Sequence, residues 1–174
     1  PNAILVDLCK KNYYFDDSLK IICVTGTYGK TTTTTCVQTL IGSDLCGYIG
    51  TNGISCKKFS DTSNNSTPDP TILYKSFKRF KDAGCKYVVM EASSEAYFRK
   101  RLENLEYDVS VYTNITSEHL NIHGSFENYI DCKKEAFRRC KNDGHCILNS
   151  DDSHFLEVKQ AFNGKVLTYG KGDD

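Results

Sequence analysis

Residues Ile21–Thr35 read IICVTGTYGKTTTTT. The first four are apolar and mostly β-branched, the mark of a buried strand. Gly26 and Gly29 follow, then Lys30 and a run of threonines that can continue as a helix although threonine is a poor helix former. Strand, glycine loop and helix in that order gather several unsatisfied backbone N–H groups at a helix N-terminus, where the helix dipole also favours an anion. The common phosphate loop is G-x-x-x-x-G-K-[ST]. The span Gly26-Thr27-Tyr28-Gly29-Lys30-Thr31 is shorter but keeps its chemical parts. The glycines permit close backbone approach, Lys30 can reach outer phosphates, and the Thr31 hydroxyl can meet Mg²⁺. An ordinary turn with a surface lysine is the plainer reading. The strand, the helix and the GKT ending together favour nucleotide binding.

Outward from the loop, apolar runs and helical patterns alternate. A short helix is expected over Ile4–Lys11, then strands at Ile21–Val24, Tyr48–Ile49, Tyr87–Met90, Val109–Tyr112, His145–Leu148 and Val166–Thr168. Helices are expected over Thr31–Ile41, Pro70–Ala83, Ser93–Leu102, Phe126–Cys140 and Ser153–Phe162. Ser55–Asp69 is rich in Asn, Ser and Thr and reads as loop. The alternation predicts an α/β fold, a mostly parallel sheet with helices on both faces, of the P-loop NTPase-like kind. Ligands of such sheets bind at the carboxyl ends of the strands.

Polar groups collect at those ends. Glu91 closes the strand YVVME, where a carboxylate can hold Mg²⁺ across from the loop. His119 lies just past another strand and reads either as a ligand or as a satisfied structural histidine; His123 can pack or cap. Lys133 falls on the apolar stripe Phe126, Tyr129, Ile130, Phe137 of its helix, whereas Lys134 does not. Periodicity alone favours a Lys133 that snorkels past the stripe to water. A buried Lys133 would have a lowered pKa, and its neutral amine could take up carbon dioxide as a carbamate. Ser66-Thr67-Pro68-Asp69-Pro70 runs into a helix, so its hydroxyls bind substrate or, more simply, cap.

The chain has 174 residues, with 22 Lys plus Arg balanced by 22 Asp plus Glu. That balance gives no support to a nucleic-acid or membrane-surface role. No apolar run reaches the length of a membrane span and no signal peptide opens the sequence. Nine scattered cysteines, without a C-x-x-C pair, read as reduced thiols of a cytoplasmic protein rather than a disulfide framework or zinc site.

Taken together, TGTYGKTTTT, IGTNG, STPDP, MEASSEAYFRKR, VYTNITSEHLNIHG, YIDCKKEAF and LNSDD resemble the central ATPase domain of the Mur ligases. Their order and spacing are similar to the branch that adds the third residue of the peptidoglycan stem peptide. The resemblance implies an ATP loop of Gly26, Thr27, Gly29, Lys30, Thr31 and Thr32, with Thr31 on Mg²⁺. It implies metal ligation by Glu91 and His119, and a carbamylated Lys133 that helps to hold a second Mg²⁺. Asn114 and Asn149 match positions near the nucleotide. Ser66, Thr67, Ser93 and Arg101 match contacts to the substrate, UDP-MurNAc-L-Ala-D-Glu. This sequence departs from the family with Tyr28 where Asn is usual, Glu95 for His, Glu118 for Asp and Ser66 for Thr.

The activity implied is ATP-driven amide-bond formation through an acyl phosphate, with the muramoyl dipeptide and an amino acid as partners. No nucleic acid, membrane insertion or obligate protein partner is expected. Residues 1–20 read as a lead-in and 21–174 as an ATP-binding central domain that stops early. The family's uridine-binding and amino-acid-binding domains do not fit within this length, so the fragment is expected to lack ligase activity. Rival readings are a folylpolyglutamate- or cyanophycin-synthetase-like ligase, which STPDP and HLNIHG disfavour, and a nucleotide-binding module without catalysis.

Overall fold

The computed structural model describes residues 2–116, 118 and 120–171. Its centre is β1 (Lys20–Thr25), the strand of the quoted stretch, with β5 (Tyr87–Glu91) and β6 (Tyr107–Tyr112) parallel on either side. Beyond β5 lies β2 (Cys46–Gly50), also parallel. An antiparallel hairpin of β3 (Gly53–Cys56) and β4 (Phe59–Asp61) closes that end. On the other side β7 (Cys140–Asn149) and β8 (Lys165–Tyr169) extend the parallel run, giving the order β4-β3-β2-β5-β1-β6-β7-β8.

The period of two along β1 divides the interior. Ile21 and Cys23 enter a large core shared with α1 (Asn2–Asn12), α3 (Pro70–Ala83), α4 (Ser94–Phe98) and α6 (Phe126–Arg138). Val24 turns to a smaller core of Tyr48, Val89 and Val111 against Val37 and Ile41 of α2 (Lys30–Ile41). Helices therefore cover both faces, as the alternation predicts. Helix α3 begins at Pro70, buries Leu73, Tyr74, Phe77 and Phe80 along one stripe, and ends on Gly84 in the left-handed region. The sheet has two different borders. Short β4 is flanked by Arg79, whose guanidinium stacks on Phe59 and pairs with Asp61. The residues of β8 are mostly exposed, Leu167 by 55% and Tyr169 by 44%.

Several boundaries differ from expectation. The segment read as loop over Ser55–Asp69 contains most of the β3–β4 hairpin, two strands of four and three residues too short to carry an alternating pattern. The turn into β3 rests on Gly53 at φ 109°, where an added Cβ would fall 2.3 Å from the Asp61 carbonyl oxygen. The helix expected over Ser93–Leu102 is only Ser94–Phe98, and Lys100 adopts a positive φ beyond it. Helix α6 stops at Arg138, and Cys140 already belongs to β7, which is interrupted by a register shift before His145. The last helix is α7 (Phe155–Lys159), shorter than Ser153–Phe162. A short α5 (Leu120–His123) was not foreseen.

Candidate functional site

Strand register builds the site. Val24 pairs with Glu91 and Thr25 with Tyr112, so the loop after β1 emerges between the ends of β5 and β6. Gly26 lies so close to Thr113 that a Cβ there would meet Thr113 Oγ1 at 1.8 Å, and Gly29 starts α2 at φ 83°. The segment leaving β6 holds this loop in place. Thr27 N–H donates to the Asn114 carbonyl at 2.8 Å. Asn114 clamps the Tyr28 peptide from both sides, accepting from its N–H at 3.0 Å and donating to its carbonyl at 3.1 Å. Thr113 Oγ1 donates to the same carbonyl at 2.7 Å. The Thr27 hydroxyl meets Tyr129 Oη at 2.9 Å and accepts from Thr116 N–H at 3.0 Å. Lys30 folds its ammonium over the loop, donating to the Gly26 and Thr27 carbonyls at 2.8 Å each. Burial lowers its pKa, against the pull of the Glu91 and Glu118 carboxylates.

Next to the loop stands Glu91, 1% exposed. Its carboxylate accepts from Tyr48 Oη at 3.0 Å, Thr51 N–H at 2.8 Å and Thr51 Oγ1 at 3.2 Å. All three donors are neutral, and among the described residues no cation forms an ion pair with it. This buried carboxylate, whose direct partners are all neutral and on which Lys30 acts only from a distance, can take a cation. Thr31 Oγ1 lies 3.3 Å from Thr51 Oγ1, so two hydroxyls and a carboxylate line up as hard oxygen donors. Among the described residues no three His, Cys, Asp or Glu side chains form a cage. One carboxylate with hydroxyls suits Mg²⁺, which takes few protein ligands and completes its shell with water and phosphate oxygens. The residues fit that ion.

These groups face a cavity of about 490 Å³, lined at one end by Tyr28–Thr32 and at the other by Ser66, Thr67, Ser93, Glu95 and Arg101, with Glu91 between. Arg101 pairs with Asp69 at 2.8 Å and donates to the Thr67 carbonyl at 3.3 Å. The buried Thr67 hydroxyl donates to the Glu91 carbonyl and accepts from Ser93 N–H, each at 3.0 Å, while Ser93 Oγ caps α4 by accepting from Ala96 N–H. Those two hydroxyls thus also fix the cavity wall. Asn149 stands further off, donating to the Thr113 carbonyl at 2.8 Å, and so supports the segment that supports the loop.

Lys133 is 1% exposed, which corrects the expectation that it snorkels to water. Its Nζ sits 4.5 Å from the centre of the Tyr129 ring, and no described residue hydrogen-bonds to it or pairs with it. Burial first, and the Lys30 charge second, press its pKa well below the ordinary lysine value. It is not among the residues that line the cavity. His119 lies outside the described residues. His123, 3% exposed, meets Ser94 Oγ at 3.0 Å and packs edge-on to Phe98.

Thr51, Tyr48 and Thr113 were not singled out from the sequence. Thr51 falls within IGTNG, but nothing in that stretch says that its hydroxyl bridges Thr31 and Glu91.

Residues 24–174 match the family described as Mur ligase middle domain. The UDP-N-acetylmuramoyl-L-alanyl-D-glutamate–2,6-diaminopimelate ligase of Chlorobaculum tepidum is 36% identical over 175 residues, 98% of this chain and 34% of its own length. A solved structure of a ligase of the same name superposes with a TM-score of 0.78 at 23% identity, over 99% of this chain and 36% of that one. The fold also matches E. coli FolC in complex with DHPP and ADP, with a TM-score of 0.69 at 17% identity over 94% of this chain and 45% of that one. The chain thus spans about a third of the length of its curated relatives.

Proposed function

The chain belongs to the Mur ligase family, by its middle domain, and on that premise we propose that it is the ATP-binding, phosphoryl-transferring part of an amide-bond ligase. The reaction is addition of a diamino acid to UDP-MurNAc-L-Ala-D-Glu in peptidoglycan synthesis, following the names of the relatives. One observation carries the reading: a single cavity joins Gly29–Thr32 to Ser66, Ser93 and Arg101 around the buried Glu91. A triphosphate at the first end faces a carboxylate-bearing substrate at the second.

The substrate carboxylate attacks the γ-phosphorus, the β–γ bridging bond breaks, and ADP leaves an acyl phosphate. The amine of the amino acid then attacks the acyl carbon and phosphate departs. The N–H groups at the start of α2 receive the phosphates. Lys30 exchanges the Gly26 and Thr27 carbonyls for phosphate oxygens and offsets charge that develops in transfer. Arg101, half-buried beside Asp69, orients the substrate carboxylate or a phosphate. Thr31 and Glu91 would hold magnesium, with His119 and a Lys133 carbamate toward a second ion; such ions neutralise phosphate charge and align the reacting oxygens. Asn114 and Asn149 hold the loop in shape. With all nine cysteines free, a reducing cytoplasmic setting fits the chain.

Calorimetric titration of the chain with MgADP tests the reading. Binding is expected, and Lys30→Ala is expected to abolish it; equal affinity in the variant would remove the phosphate-loop assignment. The chain alone is expected to form no amide product, and product from it would contradict that division of labour.

A further inference from the structure

Tyr28 is an unusual residue for its place. It sits inside the phosphate loop, is 58% exposed, and lines the cavity next to Gly29 and Lys30. Its main chain is immobilised by Thr113 and Asn114, which together hold its N–H and its carbonyl. Only the side chain is left to move. The phenol reaches across the loop and donates to the Glu118 carboxylate, in the segment after β6. This bond adds a side-chain link to the bonds from Thr113, Asn114 and Thr116 that already join the loops following β1 and β6, and it is made by a residue that lines the cavity.

Glu118 does more than accept that bond. Its negative charge acts on the ammonium groups of both Lys30 and Lys133. The Tyr28 phenol therefore anchors a carboxylate within the field of the lysine that the phosphates must reach. A nucleotide brings negative charge to the same place, and like charges at close range in a partly desolvated cleft repel. Resting on the nucleotide reading above, we propose that Tyr28 is an affinity-setting residue: through its bond to Glu118 it closes the mouth of the phosphate loop, and bound nucleotide displaces that bond. The ring then swings on its fixed backbone and Glu118 withdraws from Lys30.

The test is MgADP titration of the wild-type chain, Tyr28→Phe, Glu118→Gln and the double variant. Tyr28→Phe keeps the ring and deletes the donor, so about fivefold tighter binding is expected, the size of one ordinary hydrogen bond. Glu118→Gln removes the charge and is expected to tighten binding as well. The double variant is expected to gain little over either single one, because both act on one contact. Unchanged or weaker binding by Tyr28→Phe overturns the proposal, and so do two effects that simply add. Failure of the underlying reading looks different: a wild-type chain, folded by circular dichroism, that takes up no MgADP at all.

Discussion

At the scale of single residues, Gly26 and Lys133 carry the sharpest consequences. Gly26 has Thr113 Oγ1 in the space of a Cβ, at a φ of 152°. Gly26→Ala is expected to cost about 2–4 kcal/mol in urea unfolding, from overpacking and backbone strain together. A loss below about 1 kcal/mol would mean that the two loops part easily. For Lys133, burial holds the amine well below the ordinary value of 10.5. Between those two values the unfolded chain binds a proton that the folded chain does not. Wild-type stability therefore rises with pH across that window and levels off above 10.5. In carbon-dioxide-free buffer, Lys133→Met is expected to be the more stable protein near pH 7, with a lead that shrinks by about pH 9. A lead independent of pH would place a charged lysine in the folded state. With ¹³C-bicarbonate present, a carbamate carbon signal is expected that Lys133→Arg lacks, and its absence would remove the carbamate.

At the scale of elements, Asn114 binds one loop to another. Asn114→Ala deletes both clamps on the Tyr28 peptide and is expected to lower stability by about 1–2 kcal/mol while weakening MgADP binding. A variant that loses stability but keeps its affinity would reduce the clamp to a packing role. The elements also mark how far the sequence could be read. Buried parallel strands announce themselves as apolar runs, so β1, β5 and β6 were legible, and with them Glu91 at a strand end. The stripe on α6 located Lys133, and the structure buried it more deeply than the stripe alone implied. The hairpin was hidden because strands of four and three residues are shorter than the pattern that would reveal them. Thr51 and the Tyr28–Glu118 bond were hidden for another reason: each joins residues distant in sequence, and only the strand order makes them neighbours.

At the scale of the whole molecule, the strand order places the cavity near the middle of the sheet, over the ends of β1, β5 and β2, inside both borders. The borders are not alike. On the β4 side, an arginine and an aspartate stand guard. On the β8 side, Leu167 and Tyr169 meet water. Main-chain donors and acceptors along such a rim invite another strand. Sedimentation velocity over a dilution series is expected to show reversible self-association that weakens in Leu167→Lys, and a constant sedimentation coefficient would argue otherwise. Were the sedimentation coefficient to fall on dilution, the concentration at which this polypeptide is stored would decide how much of it stays monomeric, and any binding isotherm collected from it would inherit that choice.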